Sequence, residues 1–597
     1  MTGSSNGQPR RTIPPVALAA ISATVAFFVL VPITAQFRIL WDTDSYLHAA
    51  IGLHYRVHGI FEPPPWGRFS MTSWGGDKDF LYHVALIPFT AGDLATGARV
   101  ALAAVSALLI GVLTLVFARR ETVWALVLPW WLYATSVPFF LRIIRLRPDV
   151  ASLILLLLLC EAVARRRFAL GAAAAMAYAL AYTPFQVPVG LAVIWLLADR
   201  LESGRWEWRL PAWIVAGVVA GLLVRPHPLE NLRLWFAQNV TFYGLVGKLD
   251  LGEEVGAPRI ARLFPLIAGW LIGMAALAVT ARRKPTAPDE PRPVPRWEWI
   301  AYACLLGVFV LLYARMSKMA LYPYPIALAT LLRWNACRSR RISAWAAPAL
   351  AVGVAVAFPA LADPTLLSML GLKGEIFNEA DLARFGRAVP PGARVAATWG
   401  DAEEFVFFAP QGRYLNVYDS TFMYVPYPAL WEAQASLFAG RDPDIVSTIR
   451  GPLQSDYLAF NAVRMTQGFL DRTRQDPRLR LVYGGYTALL AYDASGESAF
   501  VTDWGGERRG AFVDAGAATE CVTLRHEADL PRSQRFEFAP WGTGSLDVDG
   551  TRRVEVSRPQ GAILGRGATI DVPAGRHVLT ATTCAVGRRN GFYLVRR

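Results

Sequence analysis

Apolar runs of membrane-spanning length recur between residues 13 and 362, separated by short loops rich in arginine. A bilayer core about 30 Å thick takes roughly 20 apolar residues in a helix, and backbone polar groups inside it must be paired within the segment. The pattern therefore implies a polytopic α-helical membrane protein. Spans are predicted at 13–35, 97–118, 122–140, 149–164, 168–183, 186–199, 210–225, 262–281, 298–314, 318–333 and 343–362, about 11 in all. Composition agrees, with 54% hydrophobic and only 18% charged residues. The formal charge of +14 raises the question of a nucleic-acid partner. None is expected, because the arginines cluster in loops between apolar runs, where they act as topology signals. Arg10 and Arg11 hold the N-terminus inside, and the run after them is long enough to remain as a span. Alternation then places Arg119-Arg120, Arg165–Arg167, Arg200–Arg209, Arg282–Arg296 and Arg338–Arg341 in the cytoplasm. The expectation is an N-in/C-out chain in the bacterial inner (plasma) membrane, with a periplasmic or extracellular C-terminal part.

The first outer loop, 36–96, carries the densest polar chemistry. It opens Trp41-Asp42-Thr43-Asp44-Ser45-Tyr46-Leu47-His48 and later adds Glu62, Asp77, Asp79 and His83. Two carboxylates one residue apart converge on one cation or one polar substrate. The alternative is an N-cap, since 45–58 reads as a short amphipathic helix and an aspartate before it satisfies free N–H groups. Capping needs only one acid and leaves the histidines without a reason. The run 80–89 is too short to cross and is read as interfacial or re-entrant.

One arginine cluster breaks the inside rule. Arg142, Arg145 and Arg147 precede Asp149 on the outer side. Guanidinium groups bind phosphate oxygens in pairs, which suits a lipid phosphate. The competing explanations are anionic head groups, or salt bridges to Asp149 and the acidic first loop. Arg225 with His227, and Arg315 with Lys318, are further outer cations. Residues 229–242 read as an amphipathic interfacial helix, and Glu253 and Glu254 as a solvated pair.

After Pro359 the chain changes character. A helix at 378–387 and strands at 394–398, 457–460, 479–483 and 487–492 predict an α/β domain over 363–505. Short strands with turn signals follow, at 535–538, 545–551, 567–575 and 577–582, and predict a β-sandwich over 506–597 of carbohydrate-binding type. Asp547, Asp549 and Gly550 resemble half a calcium loop, but a hairpin turn fits better. Five cysteines are too few for a disulfide scaffold. Cys160, Cys304 and Cys337 lie in or beside apolar runs. Cys521 and Cys584 are the only two in the exported region and are expected to pair there.

This layout resembles the GT-C class of membrane glycosyltransferases, with residues 1–362 as the transmembrane catalytic domain. Asp42-Thr43-Asp44-Ser45-Tyr46-Leu47-His48 is similar to the acidic first-loop motif of that class, including, distantly, the oligosaccharyltransferase catalytic subunits. The resemblance implies a polyprenyl-phosphate-linked sugar donor and a glycan, lipid or protein acceptor. It implies that Asp44 or Asp42 is the base or the ligand of a divalent cation such as Mg or Mn. Arg142, Arg145, Arg147, Arg315 and Lys318 would hold the donor phosphate, and His48, His83, Asp149 and His227 would serve the acceptor or a secondary role. The chain departs from the oligosaccharyltransferase pattern: no Trp-Trp-Asp motif stands in the soluble part, the nearest text being Thr398-Trp399-Gly400-Asp401. The second outer loop offers Asp149 alone. A simpler sugar transferase fits better than protein N-glycosylation. A transporter or flippase would show internal repeats and ionisable groups at mid-membrane, and none is visible; a non-catalytic glycan-binding protein has no need of both Asp42 and Asp44.

Overall fold

The computed structural model describes the chain except residues 1–12, 38–39, 41, 119–121, 247, 250–255, 259, 281–293, 339–341, 362–378, 463, 477, 494–506, 510–511, 515–520, 541, 558–566, 585–590 and 597. Arg10, Arg11, Trp41, Glu253, Glu254 and most of the 281–296 linker lie outside the described residues. The rest forms two compact units, Met1–Glu62 with Gly75–Gly374, and Pro63–Trp74 with Glu375–Arg597. The first is helical and the second strand-rich.

The helices of the first unit are α1 Pro15–Ala35, α2 Thr43–His58, α3 Phe80–Leu86, α4 Leu94–Phe117, α5 Thr122–Thr135, α6 Val137–Ile143, α7 Pro148–Ala164, α8 Phe168–Ala181, α9 Gln186–Ser203, α10 Arg209–Val224, α11 Pro228–Phe236, α12 Phe242–Leu245, α13 Ile260–Thr280, α14 Arg296–Arg315, α15 Pro323–Cys337 and α16 Ala346–Leu361. Among the described residues, α1, α4 and α14 are each long and apolar enough to cross a bilayer. Two bent pairs add a candidate each, one at α5–α6 (94°) and one where α10 meets Pro228–Leu245 (114°). The expected straight span at 122–140 is thus broken. Ser136 leaves the helical region (φ −97°, ψ 76°), and Pro138 lacks the N–H that would carry the ladder through. The expected span at 318–333 opens instead as a 3-10 turn, Ser317–Leu321, and α15 starts only at Pro323. The 229–242 helix is continuous but passes through a π-turn at Ala237–Thr241.

Side-chain bonds fix the directions of five helices. Thr114 donates to Ser22 (2.9 Å), and Arg99 to the Phe37 carbonyl (2.7 Å), so α4 runs back alongside α1. Gly111 permits the approach, since a Cβ there would sit 2.8 Å from Ala23 Cβ. At the far end of α4 the fully buried Arg333 of α15 donates to the Val116 carbonyl (2.7 Å) and pairs with Glu161 of α7 and with Glu298 of α14 (3.2 Å). At the other end, Ser152 of α7 bonds Tyr322 beside the start of α15 (2.7 Å). Helices α4, α7 and α15 therefore run parallel, while α1 and α14 run against them. Arg333 offsets one of the two glutamate charges, and Arg165, 3.3 Å from Glu161, offsets the other, as charges this far out of water require.

The second unit begins with a mixed sheet. Strands β1 Arg394–Ala396, β2 Arg413–Tyr414, β3 Tyr457–Asn461, β4 Leu479–Gly484 and β5 Thr487–Tyr492 take the order β2-β1-β3-β5-β4. Pairing is parallel around β1 and antiparallel around β5. The edge at β2 is extended by a segment from the first loop. Tyr414 N–H donates to Trp66 O (2.7 Å), Arg68 N–H to Tyr414 O (2.8 Å) and Phe69 N–H to Leu415 O (2.8 Å). Trp66 is buried and donates to Pro410 O (2.9 Å), and Arg68 holds Leu453 O and Ser455 Oγ. An edge that would otherwise be open is thereby paired.

Strands β6 Glu507–Arg509, β7 Phe512–Asp514, β8 Cys521–Leu530, β9 Gln534–Pro540, β10 Thr543–Val548, β11 Thr551–Val556, β12 Ala568–Val572, β13 Gly575–Cys584 and β14 Gly591–Arg596 form two sheets, β11-β10-β13-β8 and β12-β9-β14-β7-β6. Leu530, Phe536, Phe538, Leu546, Leu579 and Phe592 fill the core. Asp549 (φ 51°) and Gly550 (φ 77°) turn the β10–β11 hairpin. The Asp549 carboxylate is engaged there by His577 and by Val578 N–H, so this is a turn. Cys521 and Cys584 stand directly opposite in the β8–β13 register, and their sulfurs are bonded. The bond joins positions 63 residues apart, and the chain-entropy model gives it about 4 kcal/mol. Reduction is expected to lower the denaturant midpoint of the C-terminal strands accordingly; coincident oxidised and reduced curves would contradict this.

Candidate active site

The site is built on the first turn of α2. Asp42 is its N-cap: Oδ1 accepts from Ser45 N–H (2.9 Å) and from Ser45 Oγ–H (2.7 Å). Its second oxygen has a different partner, Arg147 Nε at 2.5 Å, with Arg145 Nε at 3.6 Å. Asp44 Oδ2 lies 2.8 Å from the same Arg147. Arg142 bonds Asp149 directly. Ser45 Oγ accepts the Leu146 N–H (3.0 Å), which ties the arginine loop to α2 through the backbone as well. Capping and charge pairing are thus two uses of one carboxylate. Of the explanations for the outer arginines, salt bridges to Asp149 and the first loop are the geometry present. Acids and arginines form one network, and none of these six side chains is more than 27% exposed. Within it Arg145 has the longest of these ion pairs. Burial, with Arg142 and Arg147 close by, pushes its pKa down to about 9 against the pull of Asp42.

A second network lies one turn along the same face of α2. His48 and His83 are buried, with His48 Nδ1 2.7 Å from His83 Nε2. His83 Nδ1 donates to Asp77 Oδ2 (2.7 Å), and the Tyr55 hydroxyl donates to the same oxygen (2.7 Å). Asp79 N–H reaches Asp77 Oδ1 (3.0 Å), and Lys78 pairs with Asp79 (2.7 Å). Arg225, almost fully buried, donates to Lys78 O (2.8 Å) and Leu180 O (2.9 Å) and holds this loop in place. Burial drives the His48 pKa well below its usual value, and the neighbouring His83, Lys78 and Arg147 add to that. Burial alone would raise Asp77, but the charge and hydrogen bond of His83, with Tyr55, outweigh it and hold the carboxyl well below its usual range. Asp79 is raised by burial.

The other expected site residues lie apart. Arg315 is exposed at the end of α14, and Lys318 rests over the Phe242 ring (4.8 Å). The turn carrying Lys318 packs against α6 and α7. His227 adopts φ 54° before α11 and is the side chain that a Cβ on Gly75 would meet. The Thr398-Trp399-Gly400-Asp401 text opens a helix: Thr398 caps it, and the buried Asp401 is held by Arg464 (2.7 Å) and Asn461 N–H (3.1 Å). A divalent cation finds no matching donor set here. The Arg147 guanidinium lies between the two carboxylates that would bind it, and among the described residues no three His, Cys, Asp or Glu side chains are placed to hold one ion. Sequence reasoning noted Asp77 and Asp79 without a role and passed over Ser45, Tyr55 and Lys78. Tyr55 was within reach, since it stands seven residues after His48 on one helix face.

No family model matches this sequence, and no curated protein matches it. Solved structures do. ArnT from Cupriavidus metallidurans in the apo state superposes with a TM-score of 0.50 at 14% identity, covering 81% of this chain and 98% of that one. ArnT bound to undecaprenyl phosphate gives 0.46 at 16% identity, with coverages of 81% and 98%. The oligosaccharyltransferase AglB from Archaeoglobus fulgidus, in complex with an inhibitory peptide and a dolichol-phosphate, gives 0.46 at 11%, with coverages of 78% and 72%. These neighbours are GT-C membrane glycosyltransferases, and the likeness to apo ArnT supports the GT-C resemblance at the level of fold.

Asp42 is the network's structural hub. Asp42→Ala removes both the cap and one of the two counter-charges of Arg147, Asp44 being the other, and is expected to cost about 2–3 kcal/mol. Asp42→Asn keeps the cap and should recover about 1 kcal/mol of that. Thermal unfolding of the purified protein measures both; an alanine variant as stable as the parent would remove this role.

Proposed function

We propose that the chain is a glycosyltransferase that moves a sugar from a polyprenyl-phosphate-linked donor to a hydroxyl of a glycan, lipid or protein acceptor. The observation that carries this is the single network in which Arg142, Arg145 and Arg147 meet Asp42, Asp44 and Asp149. Displacement at the anomeric carbon needs a carboxylate to orient and deprotonate the acceptor. It also needs cations where charge grows on the leaving phosphate. Asp42 is committed through both oxygens, so the acceptor falls to Asp44, the more exposed of the two at 27% against 13%. Arg145 is the natural phosphate ligand, because an added anion relieves the burial that depresses it. Arg315, Lys318 and His227 stay outside this assignment, and Arg147 supplies the charge a metal would bring.

The reading includes an N-in/C-out chain of about 11 spans in a bacterial inner membrane. Pro63–Trp74 and Glu375–Arg597 belong to one compact unit, so first loop and C-terminal region share one side. The chain must then cross an even number of times between residues 75 and 374, and the eleven-span order has ten crossings there. The directions of α1, α4, α7, α14 and α15 fit that order too. A reporter active only outside the cytoplasm is expected to work when fused after Gly371 and to fail after Arg283. Activity at Arg283 would reverse the sidedness.

Because acids and arginines touch, their variants are coupled but still distinguishable. With a panel of radiolabelled polyprenyl-phosphate sugars, Asp44→Asn is expected to lower turnover by a factor on the order of 10². It also loosens Arg147 and so weakens donor binding somewhat. Arg145→Ala is expected to weaken binding of a non-transferable donor analogue by about 1.5–3 kcal/mol. Normal turnover in both Asp42→Asn and Asp44→Asn would leave the first turn of α2 a cap and end the catalytic reading.

A further inference from the structure

The two histidines raise a question of proton accounting that the acids leave open. Asp44 is already engaged by Arg147 at 2.8 Å, so orienting the acceptor and storing its proton are separable tasks. We propose that the proton released by the acceptor ends on the His48–His83 pair, which with Asp77 forms a two-imidazole relay. This rests on the transfer reading above.

The geometry sets the proton positions. His83 Nδ1 faces a carboxylate oxygen at 2.7 Å and therefore carries a hydrogen. The 2.7 Å gap between His83 Nε2 and His48 Nδ1 holds one hydrogen, never two. In the neutral pair that hydrogen belongs to His48, and His48 Nε2 is a bare acceptor. When a proton arrives at Nε2, the bridging hydrogen moves to His83 Nε2. The positive charge then lies on His83, against Asp77, while His48 ends neutral. In the transfer itself the acceptor O–H breaks and its oxygen bonds the anomeric carbon. The carbon–oxygen bond to phosphate breaks, the lipid phosphate leaves with the electron pair, and the proton enters the relay. Asp44 and His48 are four residues apart on one face of α2, and Tyr55, seven further on, steadies Asp77 from behind. The groups facing the pair are Asp42, Lys78, Arg147 and Tyr82 at His48, and Asp77 and Asp79 at His83, with Arg225 beside both aspartates. The cations on the His48 side and the carboxylate on the His83 side give the pair its polarity: charge is repelled from the entry and held at the far end.

The test uses the full chain in lipid nanodiscs with nitrogen-15 histidine. On acidification the pair is expected to take up one proton, on His83, with nitrogen–nitrogen coupling across the bridge. Asp77→Asn removes the stabilising anion, so the pair's pKa falls by about one unit or more, and Asp77→Glu restores it. In the transfer assay, Asp77→Asn is expected to move the acid limb of the rate to lower pH and lower the plateau. Independent titration of the two rings, or an Asp77→Asn protein of unchanged melting temperature with wild-type ring titration, overturns the relay. If Asp77→Asn does not fold, the wild-type spectrum decides by the same criterion. A wild-type protein that shows the shared proton but transfers no sugar from any donor keeps the relay and removes the transferase reading.

Discussion

Arg147 between Asp42 and Asp44 is the contact on which the site depends. Charges this little exposed persist only in pairs with satisfied hydrogen bonds. The pairing locks the start of α2 to the loop before α7 and fixes where the next turn of α2 points. His48, Tyr55 and their partners follow from that one alignment. Remove the guanidinium and two carboxylates face each other beside apolar helices, a state that would protonate or unfold before it could bind anything.

The helical unit repeats this logic at its opposite end. Asp149 and Glu161 are twelve residues apart on α7, about 18 Å by helical rise. One belongs to the arginine network, the other to Arg333. Apolar side chains between them have little directional preference in lipid, since tails are as apolar as leucine. Ion clusters at both ends supply the register that packing of small residues along α1 and α4 cannot supply alone.

Much of this was legible in the sequence because apolar periodicity and arginine placement speak directly to lipid. The acids with one residue between them after the first run pointed to the candidate site, whose role is proposed above, and the strands between Arg394 and Tyr492 fell near their expected places. Two things stayed hidden for physical reasons, and a third, the arginine–acid pairing, stood only as one of several alternatives. The break at Ser136 needs knowledge of Pro138 acting across a bend, and the run 122–140 reads as uniformly apolar. Strand β2 is two residues long, below any period. The pairing of arginines with acids a hundred residues earlier is tertiary, and charge type alone is equally consistent with a phosphate. Arg333, Glu161 and Glu298 did carry a signal, as ionisable groups within or bordering apolar runs. It is weak beside the adjacent loop arginines.

The segment Trp66 to Phe69, which bonds to β2 through its main chain, also sets an order of events in synthesis. The Pro410 carbonyl that accepts the Trp66 indole N–H, just before β2, is 344 residues further along the chain. At ordinary elongation rates that separation is on the order of tens of seconds. During this interval the segment waits with its backbone unpaired while the intervening helices are made. Completion of the sheet thus requires that the segment and β2 end on the same side of whatever membrane those helices cross. The last-made part of the sheet therefore waits on the placement of everything between, read out by a few main-chain hydrogen bonds.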